Sequence, residues 1–268
     1  MSTIIRASSL PHYTDCLRRA AAKMLAPELA TYGYNVRATQ TSIGASVGTA
    51  THNALEVALL LRAENKPYES EIEEVVEISI SKSIENGVIW DDTTRSKEIA
   101  VKQAVRQAKS VLNTFPDLLG VAIEEEYKAN LGDGFVLSGH IDIRKKDCIW
   151  DLKTGTMRRA NQAQYGAYSL LCRTNGIHIN RIGEIYVRRV GITKPQPDPV
   201  LVEYDIATAE KMAWEIINKM KSDVSNFRSN GDLWAFMANP NSLMCNADYC
   251  PAYGTNFCNC HKKEIDNG

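Results

Sequence analysis

The strongest constraint on the fold lies in the middle of the chain. Residues 121–127, 135–143 and 148–153 are three short β-rich runs, parted by Gly132-Asp133-Gly134 and by Lys145-Lys146-Asp147. Such clusters are turn signals, so the runs read as strands folded back on one another. Their surroundings have a helical period. A helix is predicted from a Ser8-Ser9 cap through Cys16, Arg18, Arg19 and Met24, with Pro11 tolerated in its first turn. A polar stretch over residues 27–44 breaks the pattern. Further helices are predicted near residues 46–64, 70–85 and 93–114, then at 161–175, closed by Gly176, and at 207–226. Residues 181–190 and 200–204 read as two more strands. That order describes an α/β chain, a mixed sheet flanked by helices.

The 268 residues, 44% hydrophobic and 24% charged, suit a globular protein with a sizeable core. Lys+Arg 31 against Asp+Glu 32 gives a formal charge of -1, which excludes a broadly basic surface. The first residues lack the continuous apolar core of a secretory signal. The longest apolar stretch, around Ala58 to Leu61, is far too short to span a bilayer. A cytoplasmic protein is expected. In a reducing compartment, clustered cysteines are more often metal ligands than disulfides.

Gly139-His140-Ile141-Asp142 followed by Asp151-Leu152-Lys153-Thr154-Gly155 carries the most chemistry. Alternation along a strand puts Asp151 and Lys153 on one face and turns Leu152 into the core. Folding about Lys145–Asp147 brings Asp142 near Trp150 and Asp151, so two carboxylates and an ammonium can converge. Paired carboxylates with open positions suit Mg²⁺ or Mn²⁺, which take oxygen ligands. A neighbouring lysine can position water or balance charge on phosphorus. Taken alone, Asp and Lys two apart on an edge strand are usually a solvated pair. Three features add weight: His52 in Gly48-Thr49-Ala50-Thr51-His52, Gln164 and Tyr168 on one helical face, and Gly139 and Gly155 beside the acids.

In this order, GxxxH, GHID, DLKTG and QxxxY make the sequence resemble the RecB-type nucleases of the PD-(D/E)xK superfamily, from Ser8 through Cys258. The resemblance implies a restriction-endonuclease-like fold and metal-dependent cleavage of DNA, at ends or on single strands. It implies His52, Asp142 and Asp151 as metal ligands, with the Leu152 carbonyl, and Lys153 as the catalytic lysine. Gln164 and Tyr168 would support the site and the DNA strand. Partners from recombination, replication or CRISPR adaptation, an oligomer, and a host-cytoplasm location for a phage-encoded chain belong to the same expectation.

Other readings of single residues stay open. His52 and Glu56 at i,i+4 also fit a surface pair, and Tyr168 also fits simple packing. His140 shares the Asp142 strand face and reads as a neighbour of the site rather than a ligand. Of Glu124, Glu125 and Glu126, alternation turns at least one toward the site without saying which.

Four of the seven cysteines fall between Cys245 and Cys260. Thiolates so closely spaced can share one metal centre. Zinc on Cys245, Cys250, Cys258 and Cys260 or His261 is the local reading. The iron–sulfur RecB-like nucleases, including the AddB nuclease domain and the CRISPR-adaptation nucleases, place one cysteine before the core and three after it. That resemblance implies a 4Fe–4S cluster on Cys16, Cys245, Cys250 and Cys258, with Cys260 as a substitute for Cys258. Cys148 and Cys172 read as packing residues.

A single nuclease domain is therefore expected, with residues 1–118 mainly helical, 119–230 the nuclease core and 231–268 a cysteine-rich tail closing on Cys16. Arg18-Arg19, Arg144–Lys146, Arg158-Arg159 and Arg188-Arg189 are candidates for a local phosphate-tracking groove. Two other classes compete: a non-catalytic DNA-binding or assembly module on the same fold, and a zinc-stapled regulatory protein.

Overall fold

The computed structural model describes residues 2–118, 122–159 and 161–260, with the backbone alone at 122–124. The chain opens with strand β1 (Thr3–Arg6) and three short helices, α1 (Leu10–Tyr13), α2 (Leu17–Met24) and α3 (Ala26–Thr31). A two-residue strand, β2 (Thr41–Ser42), leads into α4 (Ile43–Ala63) and α5 (Glu69–Glu85). Strand β3 (Val88–Ile89) and α6 (Lys97–Thr114) follow. The central strands are β4 (Ala122–Asn130), β5 (Phe135–Lys145) and β6 (Cys148–Gly155). Beyond them lie α7 (Gln162–Thr174), β7 (Arg181–Arg188), β8 (Val200–Tyr204) and α8 (Ile206–Asn230).

Local chemistry explains most of these boundaries. Ser42 caps α4 by accepting the Ala45 N–H at 3.2 Å, and Asp205 caps α8 by accepting that of Thr208 at 2.8 Å. Helix α8 stops at Gly231, whose φ of 69° is left-handed. Helix α6 begins at Lys97 rather than near Thr93, because the Asp91 carboxylate takes the N–H groups of Thr93 and Thr94, each at 2.9 Å, and holds them in a turn.

The first helix departs from expectation. Ser9 turns its hydroxyl back to the Arg6 carbonyl at 2.6 Å instead of capping forward. The chain breaks after Tyr13, and Cys16, with φ -154° and ψ 107°, stands extended at the start of α2. Strand β1 is unexpected as well. Its partner lies more than a hundred residues away, so no local pattern marks it.

A six-stranded mixed sheet organises the chain, with β6 and β7 parallel and β8 antiparallel to β7. Helices α4, α5 and α6 bury Leu55, Ile72, Val76, Ile80 and Ala104 against Ile143, Trp150, Leu152, Ile185 and Val187. A second core packs α7 and α8 against Phe135, Leu137, Ile141 and Ile149 and takes in the cysteine-bearing tail through Cys250, Phe257 and Cys258. Among the described residues, no helix is long and apolar enough to cross a membrane.

Candidate active site

The site forms where the sheet forks. One edge of β5 pairs with β4 from Val136 to Arg144. On its other edge β1 takes Phe135 to Ser138 and β6 takes Ile143 to Lys145. The four residues between, Gly139-His140-Ile141-Asp142, have no strand partner on that edge among the described residues. A cleft of about 1020 Å³ opens there.

Asp142 bridges the gap. Its Oδ2 accepts the Leu152 N–H at 2.8 Å and lies 3.4 Å from His52 Nδ1. His52 therefore meets Asp142, rather than forming only a surface pair with Glu56. Helix α4 approaches closely because of Gly48, where a Cβ would stand 2.5 Å from Thr154 Oγ1.

Asp151 is 1% exposed. Its Oδ1 accepts from Gln164 Nε2 at 2.9 Å, and the same nitrogen donates to the Tyr168 hydroxyl at 2.7 Å. Lys153 Nζ donates to Gln164 Oε1 at 3.2 Å, so one amide ties the acid, the lysine and the tyrosine together. Lys153 Nζ also lies 2.5 Å from Asp151 Oδ2, a close ion contact that gives this buried oxygen its charge partner. A carboxylate oxygen has two lone-pair sites, so this contact leaves it a further acceptor position. Gly139 makes room for this group, since a Cβ there would meet Tyr168 Cε1 at 2.8 Å and Leu171 Cδ1 at 2.9 Å.

Burial pushes the Asp151 carboxyl up to about 6, against the pull of Lys153. Burial works against charge on His52 and Lys153 too, but nearby carboxylates more than offset it and leave both raised. Burial pushes Asp142 up most strongly of any single influence, but the charge and hydrogen bond of His52, the Lys153 charge and the Leu152 N–H together leave it lowered. The four groups form one coupled set of opposite charges.

Sequence reasoning missed Glu184. It stands beside Asp151 in the parallel register of β6 and β7 and is fully buried. Arg158 Nε reaches it at 2.6 Å, and the Tyr165 hydroxyl donates to its other oxygen. The available signal was a single acid inside the apolar run Ile182-Gly183-Glu184-Ile185.

Only part of the expected basic groove reaches the cleft. Arg158, Arg159 and Arg189 line it, joined by Arg6, His12 and Lys128. Arg18 and Arg19 do not serve as groove residues, being 0% and 4% exposed beside the cysteines. Arg144 is bound by Glu125 at 2.7 Å, so that acid faces away from the site. Glu126 lines the cleft beside His140, which is exposed. The Glu124 side chain and His261 lie outside the described residues.

Cys16, Cys245, Cys250, Cys258 and Cys260 line one small cavity of about 10 Å³, and all are free thiols. Cys258 and Cys260 are both present, so the arrangement does not choose between them. Cys172 is fully buried in α7 and Cys148 is half-buried at the start of β6, as expected of packing residues.

Among the described residues, no three His, Cys, Asp or Glu side chains stand at the spacing that would hold a metal ion. At the fork the reason is visible: the Lys153 ammonium sits against Asp151, and the Leu152 N–H occupies Asp142. The donor set still suits a hard cation, with two carboxylates and an imidazole. The cysteine cavity offers sulfur donors instead.

No protein-family model matches the sequence, and no curated protein matches it. The fold is similar to the crystal structure of a "Putative exonuclease" from Eubacterium rectale, with TM-score 0.56, 12% identity, and 85% of this chain and 82% of that one covered. At this identity the likeness shows the fold alone, a mixed sheet flanked by helices. The chain also aligns with SSO0001, at 14% identity over 87% of this chain and 81% of that one, with TM-score 0.35.

Proposed function

We propose that this chain is a metal-dependent nuclease of the RecB-type PD-(D/E)xK class, hydrolysing phosphodiester bonds of DNA at ends or on single strands. The observation that carries the reading is the convergence of the buried Asp151, in contact with Lys153, with Asp142 and His52 at one cleft. His52, Asp142, Asp151 and the Leu152 carbonyl would hold Mg²⁺ or Mn²⁺. When bound, such an ion polarises a phosphoryl oxygen and makes a water nucleophilic near neutral pH.

The remaining work falls to the chain itself. The Lys153 ammonium supplies positive charge where negative charge develops on phosphorus, and it can hold the attacking water. Gln164 fixes Lys153 relative to Asp151, and Tyr168 fixes Gln164. Arg6, Lys128, Arg158 and Arg159 line the cleft where strand phosphates would pass.

Asp151→Asn and Lys153→Met test the assignment on end-labelled single-stranded and duplex DNA with Mg²⁺ or Mn²⁺. Each should lower cleavage by roughly 10²-fold or more while the fold persists. Full cleavage by either variant overturns the site, and no cleavage by the native chain favours a DNA-binding module.

The cysteine cavity is the second element of the reading. The resemblance points to a 4Fe–4S cluster on Cys16, Cys245, Cys250 and Cys258, with Cys260 in reserve. The competing reading is a single zinc ion held by the same sulfur donors. Iron and acid-labile sulfide in the purified protein support the first, and zinc the second.

A further inference from the structure

Two buried cations adjoin the cysteine cavity with too little negative charge to balance them. Arg18 is 0% exposed and, among the described residues, pairs with no carboxylate. Its Nε and Nη2 donate to the carbonyls of Phe236 at 3.0 Å and Leu233 at 3.2 Å. Its guanidinium lies over the Trp234 ring, 4.8 Å from the centroid, and its Nη1 donates to Cys260 Sγ at 3.7 Å. Arg19, 4% exposed, lines the cavity itself. Its Nη2 pairs with Asp15 at 2.9 Å, while its Nη1 is buried without a hydrogen bond. The Asn239 N–H donates to Cys16 Sγ at 3.4 Å.

A buried guanidinium is costly unless an anion offsets it. Asp15 is one carboxylate for two arginines, and it also accepts from the Ser242 hydroxyl. Neutral thiols add no charge. Thiolates bound to a metal do, and N–H donors directed at sulfur are stronger on the anion.

We infer that Arg18 and Arg19 balance the charge of thiolates gathered around a metal centre in this cavity. The inference rests on the metal-centre reading above, but is indifferent to whether the centre is a cluster or a single ion. Arg18 and Arg19 are positioning residues here, acting through the sulfurs, and Arg18 also pins the tail segment at Leu233 and Phe236 to α2.

Co²⁺ alone is a sufficient probe, since its thiolate complexes absorb in the visible and its affinity can be titrated on the reduced, metal-free full chain. Arg19→Met should bind Co²⁺ about tenfold more weakly than the native chain, in the range of losses seen when a group supporting a metal ligand is removed. Arg19→Lys keeps the charge and should stay close to native. Asp15→Asn removes a competing anion and should bind at least as tightly as native, a direction that mere disruption does not produce. Thermal melts of each variant report the fold. The inference is overturned if Arg19→Met binds as native, if Arg19→Lys falls as far as Arg19→Met, or if the native chain binds no Co²⁺. Reconstitution with iron and sulfide is the separate arm. Failure there, with the Co²⁺ ranking intact, supports the charge assignment and removes only the iron–sulfur cluster.

Discussion

The Asp142 carboxylate takes the Leu152 N–H at 2.8 Å where β5 and β6 have already ceased to pair. A side chain thus replaces a rung of the ladder. The same oxygen faces His52, so the group that closes the fork also joins the sheet to α4.

Removing that acceptor should cost stability as well as chemistry. Asp142→Ala leaves a backbone donor unsatisfied, and a loss of about 1–3 kcal/mol is expected by urea unfolding. Asp142→Asn retains an acceptor and should lose less than half as much, while sharing the loss of cleavage. Equal stability losses in the two variants would refute a bridging role.

Glu184 should act on substrate binding through Arg158. Its fully buried carboxylate holds Arg158 Nε at 2.6 Å at the cleft, with Arg158 itself partly exposed. Arg158→Ala should raise KM for DNA more than it lowers kcat, and it should flatten the salt dependence of binding. Glu184→Gln should reproduce the KM effect at smaller size. A change confined to kcat in both would place the pair in the chemistry instead.

Close contact between α4 and β6 predicts coupling between Gly48 and Thr154. Gly48→Ala places a Cβ against Thr154 Oγ1, and overpacking of this kind costs about 1–3 kcal/mol. Thr154→Ala removes the obstructing oxygen. The double variant should therefore be more stable than the sum of the single losses, measured as a double-mutant cycle in denaturant. Additive losses would show that the two residues do not meet.

Alkaline pH should destabilise the fold through Tyr13. It is 1% exposed and donates to Asp223 Oδ2 at 2.7 Å. Burial, followed by the hydrogen bond and charge of Asp223, raises its pKa above the ordinary value of 10.0. A raised folded-state value means this contribution is complete below the unfolded value and is lost as pH rises above about 10. Tyr13→Phe should lower Tm at neutral pH and reduce the fall in Tm between pH 9 and 11. An unchanged alkaline slope would remove Tyr13 from that dependence.

Local pattern was enough for the elements that depend on near neighbours. The Lys145–Asp147 turn brings Asp142 and Asp151 together because a short hairpin leaves little choice of register. Gln164 and Tyr168 share a face because helical geometry puts residues four apart side by side. Hence Asp142, Asp151, Lys153, Gln164 and Tyr168 could be grouped from local pattern, His52 was added by its place in the motif series that carries the resemblance, and the six do converge.

What only the tertiary structure decided are relations between distant parts of the chain. Strand β1 joins β5 across more than a hundred residues, and their pairing, with the departure of β6, creates the gap in which the site lies. Glu184 becomes a buried partner of Arg158 only because β7 lies beside β6. Arg18 and Arg19, read as groove residues, are instead enclosed with five cysteines where both ends of the chain meet. Sequence determined which residues can form a strand, a turn or a helical face, since those depend on backbone sterics and periodicity. Burial and charge partnership depend on which surfaces exclude water together, and that was decided by the packed chain.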